Sequence, residues 1–316
     1  MWSEPNMSLW QGRQDGDDPA HRRWHQAVIA LADASDIRGA DVILGFASDE
    51  GVRRNQGRIG AVEGPDALRR ALANLPRPQS RSLFDGGTVS CVDGDLEAAQ
   101  SQLGERVTAI LERGGRPLLL GGGHEIAWGS FLGIAGSLSR PAALGIINFD
   151  AHFDLRDASG GASSGTPFRQ ISQWCEGESL PFNYLVLGVN PAANTQALYD
   201  YGRERGVRWF EDVDCVSANL ATLCDALDRF LEPLDYLYLT ICLDAFPAGV
   251  APGVSAPGMP GICPRTGISL LRHIREACER LGTALLLCDV AEMNPTYDQD
   301  GRTARWAARL IGEMAN

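Results

Sequence analysis

The chain has 316 residues, of which 44% are hydrophobic and 22% charged, a globular composition with enough apolar material for a large core. Its 28 basic residues against 40 acidic ones leave a formal net charge of −12, which argues against a nucleic-acid or anionic-membrane partner. No stretch approaches the roughly 20 apolar residues of a membrane span, and the N-terminus lacks the basic start and apolar core of a secretory signal.

Residues 1–25 are polar and irregular, and read as a surface arm ahead of one domain spanning 26–316. The first strand is expected at 42–46 (VILGF), followed by the loop Asn55–Gly64. Pro65 then opens a helix whose buried face carries Leu68, Leu72 and Leu75. A second strand at 116–120 runs into Gly-Gly-Gly-His-Glu at 121–125. A third at 144–149 runs into Asp-Ala-His-Phe-Asp at 150–154, and the Gly/Ser-rich stretch 157–166 that follows reads as an active-site loop. Further strands are expected at 184–188, at 236–241, leading into Cys242-Leu243-Asp244, and at 284–290, just before Glu292. Helices with Leu270, Ile274, Ala277, Cys278 and Leu281, and with Ala307, Leu310, Ile311 and Met314, flank the last strand.

Most of these strands are continuously apolar, as expected when both faces are covered. Alternation of strands with amphipathic helices implies a three-layer α/β/α fold with a mostly parallel central sheet. The eight cysteines form no CxxC pair and sit in apolar contexts, so they read as buried, reduced thiols of a cytoplasmic protein.

In open α/β sheets, ligands gather at the carboxyl ends of the strands. Four polar clusters fall there: 121–125, 150–154, 242–244 and Glu292. The spacing Asp150-x-His152-x-Asp154 would project three side chains the same way from an extended segment. Carboxylate and imidazole together suit manganese or a similar divalent ion. A pair of such ions roughly 3.5–4 Å apart lowers the pKa of a bridging water and supplies hydroxide near neutral pH. Glycine before a histidine is common in turns, and carboxylates at strand ends also cap helices. It is the coincidence of both motifs with Asp244 at successive strand ends that points to a metal centre.

At this point the residues resemble the ureohydrolase superfamily of arginases, agmatinases and formimidoylglutamases. The resemblance rests on GGGHE (121–125), NFDAHFD (148–154) and LTICLDAFPAGVAPG (239–253), in the family's order. It is strongest to the formimidoylglutamase branch, through WQGR (10–13), NQGRIGAVEGPDALR (55–69), SSGTPF (163–168), GVSAP (253–257) and AEMNPTYDQDGRTARWAARLI (291–311). The resemblance implies an arginase-like fold, a homo-oligomer and two Mn2+ ions per subunit. One ion would take His124, Asp150 and Asp154; the other would take Asp150, His152 and Asp244. Asp150 and Glu292 are the expected catalytic carboxylates, Glu292 orienting the cationic amidine of a small-molecule substrate.

Two departures from the family pattern matter. Cys242 stands where relatives place a bridging aspartate, so a neutral thiol leaves three carboxylates against four positive charges. That lowers occupancy of one site, and a thiolate would tilt selectivity toward a softer metal. The stretch Ser164-Gly165-Thr166-Pro167 stands where arginases and agmatinases carry a proton-shuttling histidine, and this form belongs to the formimidoylglutamase branch. The implied reaction is hydrolysis of N-formimidoyl-L-glutamate to L-glutamate and formamide, with Arg156, Arg58 and Ser164 as substrate-binding candidates. The alternatives are another amidine or guanidine hydrolase (guanidinobutyrase or agmatinase), or a metal-poor, weakly active member with a binding role.

Overall fold

The structure, a computed structural model, describes residues 1–31, 36–77, 81–138 and 143–315. Ten strands among them form one sheet: β1 (Trp2–Ser3), β2 (Val28–Ala30), β3 (Asp41–Ala47), β4 (Leu83–Ser90), β5 (Arg116–Gly121), β6 (Leu144–Phe149), β7 (Asn183–Val189), β8 (Arg208–Glu211), β9 (Tyr236–Cys242) and β10 (Ala284–Ala291). Their order in space is β1-β4-β3-β5-β10-β9-β6-β7-β8, with β2 beside β4. Every pairing is parallel except that of β1 with β4.

The expected three layers are present. On one face, Leu237, Leu239 and Ile241 of β9 join Leu68 and Leu72 of the helix Gly64–Ala73, Leu270 and Ile274 of Pro264–Leu281, and Leu310 of Arg302–Met314. On the other, Val42 and Leu119 pack with Leu103 and Val107 of Leu96–Glu112, Phe131 of Ile126–Ser137 and Phe168 of Pro167–Gly177. Burial on both faces is why β3, β5, β6, β7 and β9 read as unbroken apolar runs.

All six expected strands are observed within a residue or two of their expected ends. Four others are additions. β4 escapes the pattern because Asp85-Gly86-Gly87 interrupts it; Asp85 is nonetheless fully buried, where Arg69 bonds it through Nε at 2.8 Å. The helix beginning near Pro65 ends at Ala73, so Leu75 lies beyond it.

The surface arm over 1–25 is a correction. That segment supplies β1 at the sheet edge and buries Leu9, Trp10 and Trp24. Trp10 Nε1 donates to Asp85 Oδ2 at 2.8 Å. Polar residues dominate the segment by number, but three tryptophans decide where it goes, because each has far more apolar area to remove from water.

Candidate metal centre and substrate cavity

The four polar clusters lie at the ends of four strands adjacent in space, β5, β10, β9 and β6, and so converge. The glycine loop after β5 is stitched to its neighbours through the backbone: Gly122 N donates to Phe46 O at 2.8 Å, Gly123 N to Ser48 O at 2.9 Å, and Glu292 N to Gly122 O at 2.7 Å. Side chains do not fit there. A Cβ on Gly122 would lie 1.9 Å from the Ser48 carbonyl oxygen, and one on Gly123 would lie 2.0 Å from Glu125 Oε2. The glycines thus let the backbone pass close enough to set His124 at the strand end.

Glu125, the other polar residue of that motif, faces away from the cavity. It is fully buried, accepts from Ser48 Oγ and Gly51 N at 2.9 Å each, and burial pushes its carboxyl up to about 7.

The 150–154 segment converges by a different route from the one expected. It is not extended: β6 stops at Phe149, His152 N donates back to Asp150 Oδ1 at 2.8 Å, and Asp154 adopts a left-handed backbone with φ +48°. Asn194 clamps the bend, accepting from Phe153 N at 3.0 Å and donating to Ala151 O at 2.8 Å. Glu292 is also left-handed, with φ +70°. A non-glycine residue pays about 1–3 kcal/mol for such a conformation, and such strain collects at functional sites.

The expected ligands are brought together. His124 Nδ1 lies 2.9 Å from both Asp150 Oδ2 and Asp154 Oδ2. His152 Nδ1 lies 3.1 Å from Asp244 Oδ2 and 3.4 Å from Asp150 Oδ1. Donor atoms of His124, Asp150 and Cys242 lie within 4.8 Å of one another, as do those of Asp150, His152 and Asp244, so Asp150 belongs to both groups.

This arrangement fits a cation. His124 Nδ1 is buried and makes no hydrogen bond of proper geometry, although two carboxylate oxygens stand 2.9 Å away. Its other nitrogen, Nε2, lies 3.0 Å from Thr240 Oγ1. A ring whose Nε2–H meets a hydroxyl presents the Nδ1 lone pair to the cluster, which is how imidazole ligates.

The electrostatics point the same way. Burial works against charge on His124, but the Asp150 and Asp154 carboxylates beside its ring hold its pKa well above the usual value. Burial likewise opposes charge on His152, where Asp244 and Asp150 raise the pKa. Asp154 is pushed up to about 6 by burial and by the Asp150 charge. Glu292 rises to about 8, through burial and then the charges of Asp244 and Glu125. The Cys242 thiol, fully buried and beside Asp150 and Asp244, is pushed far above the usual thiol value. An anionic cluster that draws protons in this way is one that a divalent cation can neutralise instead.

A cavity of about 280 Å³ opens over these residues, walled by Asn55, Gln56, Arg58, Arg156, Ser164, Asn194, Leu198 and Ser255, with Glu292 in its floor. Glu292 accepts from His124 N at 3.0 Å and Ser255 N at 3.2 Å. Ser164 is buried and accepts from Asn55 Nδ2 at 3.1 Å. Arg156 is exposed on the wall, its stem against Gly165, and its guanidinium makes no ion pair or hydrogen bond among the described residues. Arg58 lines the same cavity but is held by its surroundings. Its guanidinium donates to the Ser255 carbonyl at 3.0 Å, donates also to Val254 O, and lies 4.1 Å over the Tyr297 ring, so it pins the 252–255 loop.

Sequence reasoning missed Asn55, Thr240, Asn148 and Asn194. Single polar residues in apolar runs carry little signal, although Asn148 and Thr240 each sit two residues before a ligand and therefore on its side of the strand.

A parallel α/β sheet with carboxylates and imidazoles gathered at its central strand ends defines a class of proteins that hold divalent cations for hydrolysis. A family profile described as the arginase family matches residues 40–316, and the chain belongs to that family. Formimidoylglutamases are among its relatives: that of Ralstonia nicotianae is 46% identical, with 100% of this chain and 97% of the relative covered, and that of Chromobacterium violaceum is 48% identical, with 98% of each covered. Among solved structures, the formimidoylglutamase of Bacillus subtilis superposes with a TM-score of 0.80 at 22% identity, covering 96% of this chain and 93% of that one. The Trypanosoma cruzi formiminoglutamase with Mn2+2 gives 0.78 at 23%, covering 93% and 97%. These two likenesses support the arginase-like α/β/α fold.

Proposed function

We propose that this chain hydrolyses N-formimidoyl-L-glutamate to L-glutamate and formamide, with Mn2+ held by His124, Asp150, Asp154, His152, Asp244 and the Cys242 position. The observation that carries the reading is the pairing of this ligand cluster with full-length similarity to formimidoylglutamases at 46–48% identity. When bound, the ions supply a water activated for attack near neutral pH. Asp150, shared between both donor groups, is the residue suited to bridge them.

The residues around the ions divide the substrate between them. Glu292, in the cavity floor and reluctant to ionise alone, accepts the N–H groups of a cationic amidine, whose charge favours the carboxylate form. The planar amidine carbon is thereby turned toward the metal ligands. The other end of the substrate carries two carboxylates. The chain contains no lysine, so a cationic partner for them comes from arginine, and Arg156 is the free guanidinium on the wall. Ser164 and Asn55 add neutral donors beside it.

Residues 26–316 form the catalytic domain in this reading, with 1–25 packed onto it. We place the protein in the cytoplasm as a homo-oligomer. Its eight cysteines are all free, in keeping with a reducing compartment, and no helix among the described residues is long and apolar enough to cross a membrane.

Purified protein supplied with Mn2+ should release formamide and glutamate from formimidoylglutamate. Guanidinobutyrate, agmatine and arginine should yield little urea by comparison. Preferential urea release from any of them would replace this reading with that of a guanidine hydrolase. Turnover of none, with no bound metal, would support the metal-poor alternative.

A further inference from the structure

The helix Glu50–Arg54 stops beside the cavity in a hydrogen-bonded turn that favours glycine. Gly57 N donates to Val52 O at 2.8 Å and Gln56 N to Arg53 O at 3.0 Å, the two backward bonds that close a helix when one residue turns left-handed. That residue is Gln56, at φ +61°. Glycine takes this conformation freely and asparagine is the usual second choice, yet the position holds glutamine. The neighbouring Gly57 answers a different demand, since a Cβ there would lie 2.2 Å from Ser255 Oγ.

The segment is fastened on both sides of Gln56. Asn55 Nδ2 donates to Ser164 Oγ at 3.1 Å, which ties it to the 163–166 loop. Arg58 N donates to Ser255 Oγ at 3.1 Å, and the Arg58 guanidinium donates to carbonyls of the 252–255 loop. Gln56 lies between these anchors, exposed on the cavity wall, and its side-chain amide makes no hydrogen bond among the described residues. The fold would be served as well or better by glycine here, so the unengaged amide and the strained backbone that presents it suit a ligand.

We propose that Gln56 is a specificity-determining residue whose amide donates to the side-chain carboxylate of the substrate's glutamate end. The chemistry of the substrate selects that group. With the amidine at Glu292 in the floor, the α-carboxylate sits on the carbon next to the amidine nitrogen, while the side-chain carboxylate projects further toward the rim. A primary amide offers two N–H donors and no charge of its own to repel Arg156, so the two residues can serve the same anionic end.

The strain at Gln56 makes this role separable from a structural one. Gln56→Gly removes the amide and relieves the left-handed conformation, so Tm should stay the same or rise while discrimination falls. The measurements are Tm and steady-state formamide release by the full chain with Mn2+. The substrates are N-formimidoyl-L-glutamate and N-formimidoyl-L-norvaline, which keeps the chain length but ends in a methyl group. The ratio of kcat/KM for the first over the second should fall about tenfold in Gln56→Gly, the lower end for a hydrogen bond to a charged group, with the change carried by KM. Gln56→Glu, of equal size but with a negative charge in place of donors, should lower the ratio further. A ratio within twofold of the parent in either variant would overturn the proposal. So would a Tm several degrees below the parent in Gln56→Gly, since the side chain would then be holding the fold. The inference rests on the substrate reading above: a parent that releases no formamide from formimidoylglutamate overturns both, whereas an active parent whose Gln56→Gly variant keeps the ratio overturns this inference alone.

Discussion

Arg156 is the most direct handle on substrate choice. Two arginines wall the cavity, and one of them, Arg58, is held by backbone carbonyls and an aromatic ring. Arg156 has no such partner among the described residues, so Arg156→Ala removes the proposed substrate contact without breaking an internal one there. A charge-assisted hydrogen bond contributes about 1.5–3 kcal/mol net. Arg156 is exposed, and solvent screening puts it at the lower end; about 1.4 kcal/mol corresponds to tenfold. The expected loss is therefore about tenfold in kcat/KM for formimidoylglutamate, carried by KM because the contact lies far from the reacting carbon. Arg156→Lys should fall between, keeping charge without the planar fork. The assay is steady-state formamide release with formimidoylglutamate and with a formimidoylated alkylamine lacking carboxylates. An unchanged KM, or an equal loss on both substrates, would refute the clamp.

Three further outcomes follow from the site. Cys242→Asp adds a fourth carboxylate among His124 and Asp150 and should raise both Mn2+ content per chain and turnover; if neither rises, Cys242 is not an impaired bridge. Gly122→Ala drives a Cβ to 1.9 Å from the Ser48 carbonyl, which should cost about 1–3 kcal/mol in unfolding free energy and weaken Mn2+ binding through His124; an unchanged denaturation midpoint would contradict the close approach. The metal-free protein should lose stability with rising pH. Glu125 and Glu292, raised from 4.5 to about 7 and about 8, favour the fold fully below pH 4.5 and cease to do so as pH passes those values. The raised His124 and His152 act in the same sense, while the lowered Asp150 acts oppositely but only at acidic pH. For Glu125 alone the change is on the order of 3 kcal/mol at 1.36 kcal/mol per pKa unit. Thermal midpoints should thus fall from pH 5 to 8.5 without metal, and Mn2+ should restore most at the alkaline end, where it no longer competes with protons. A metal-free midpoint that is flat or rises over this range would refute the argument.

The architecture was legible because continuous apolar runs and a 3.6-residue helical period leave strong traces, and the six central strands carry them. What stayed hidden was held by few residues against the local pattern. Asp85 disguises β4 because its charge is neutralised by Arg69, sixteen residues earlier. Trp2, Trp10 and Trp24 draw a polar segment into the core. The proposed ligands were legible as motifs, since His124, Asp150, His152, Asp154 and Asp244 follow strands that can be read. Their supports were not. Asn194 clamps the 150–154 bend from a loop after β7, Thr240 matters only through a ring more than 100 residues away, and spacing alone suggested an extended 150–154 where the backbone turns. Arg58 and Arg156 look alike in sequence; only the structure shows that backbone carbonyls surround one of them and not the other.

The strand order also bears on how the centre comes into being. β5 and β6 are consecutive in the chain, yet β10 and β9 lie between them. At roughly 4.8 Å per strand, three steps separate the strand carrying His124 from the one carrying Asp150. Synthesis delivers both of these early, while the two strands that fill the interval are among the last to emerge. A nascent chain therefore carries four of the six proposed donor positions long before Cys242 and Asp244 exist, and before Thr240 is there to meet the His124 ring. On the proposed ligand set, metal capture would report completed folding: a C-terminal truncation that removes β9 and β10 would lose the centre even though most of its donors lie upstream of the cut.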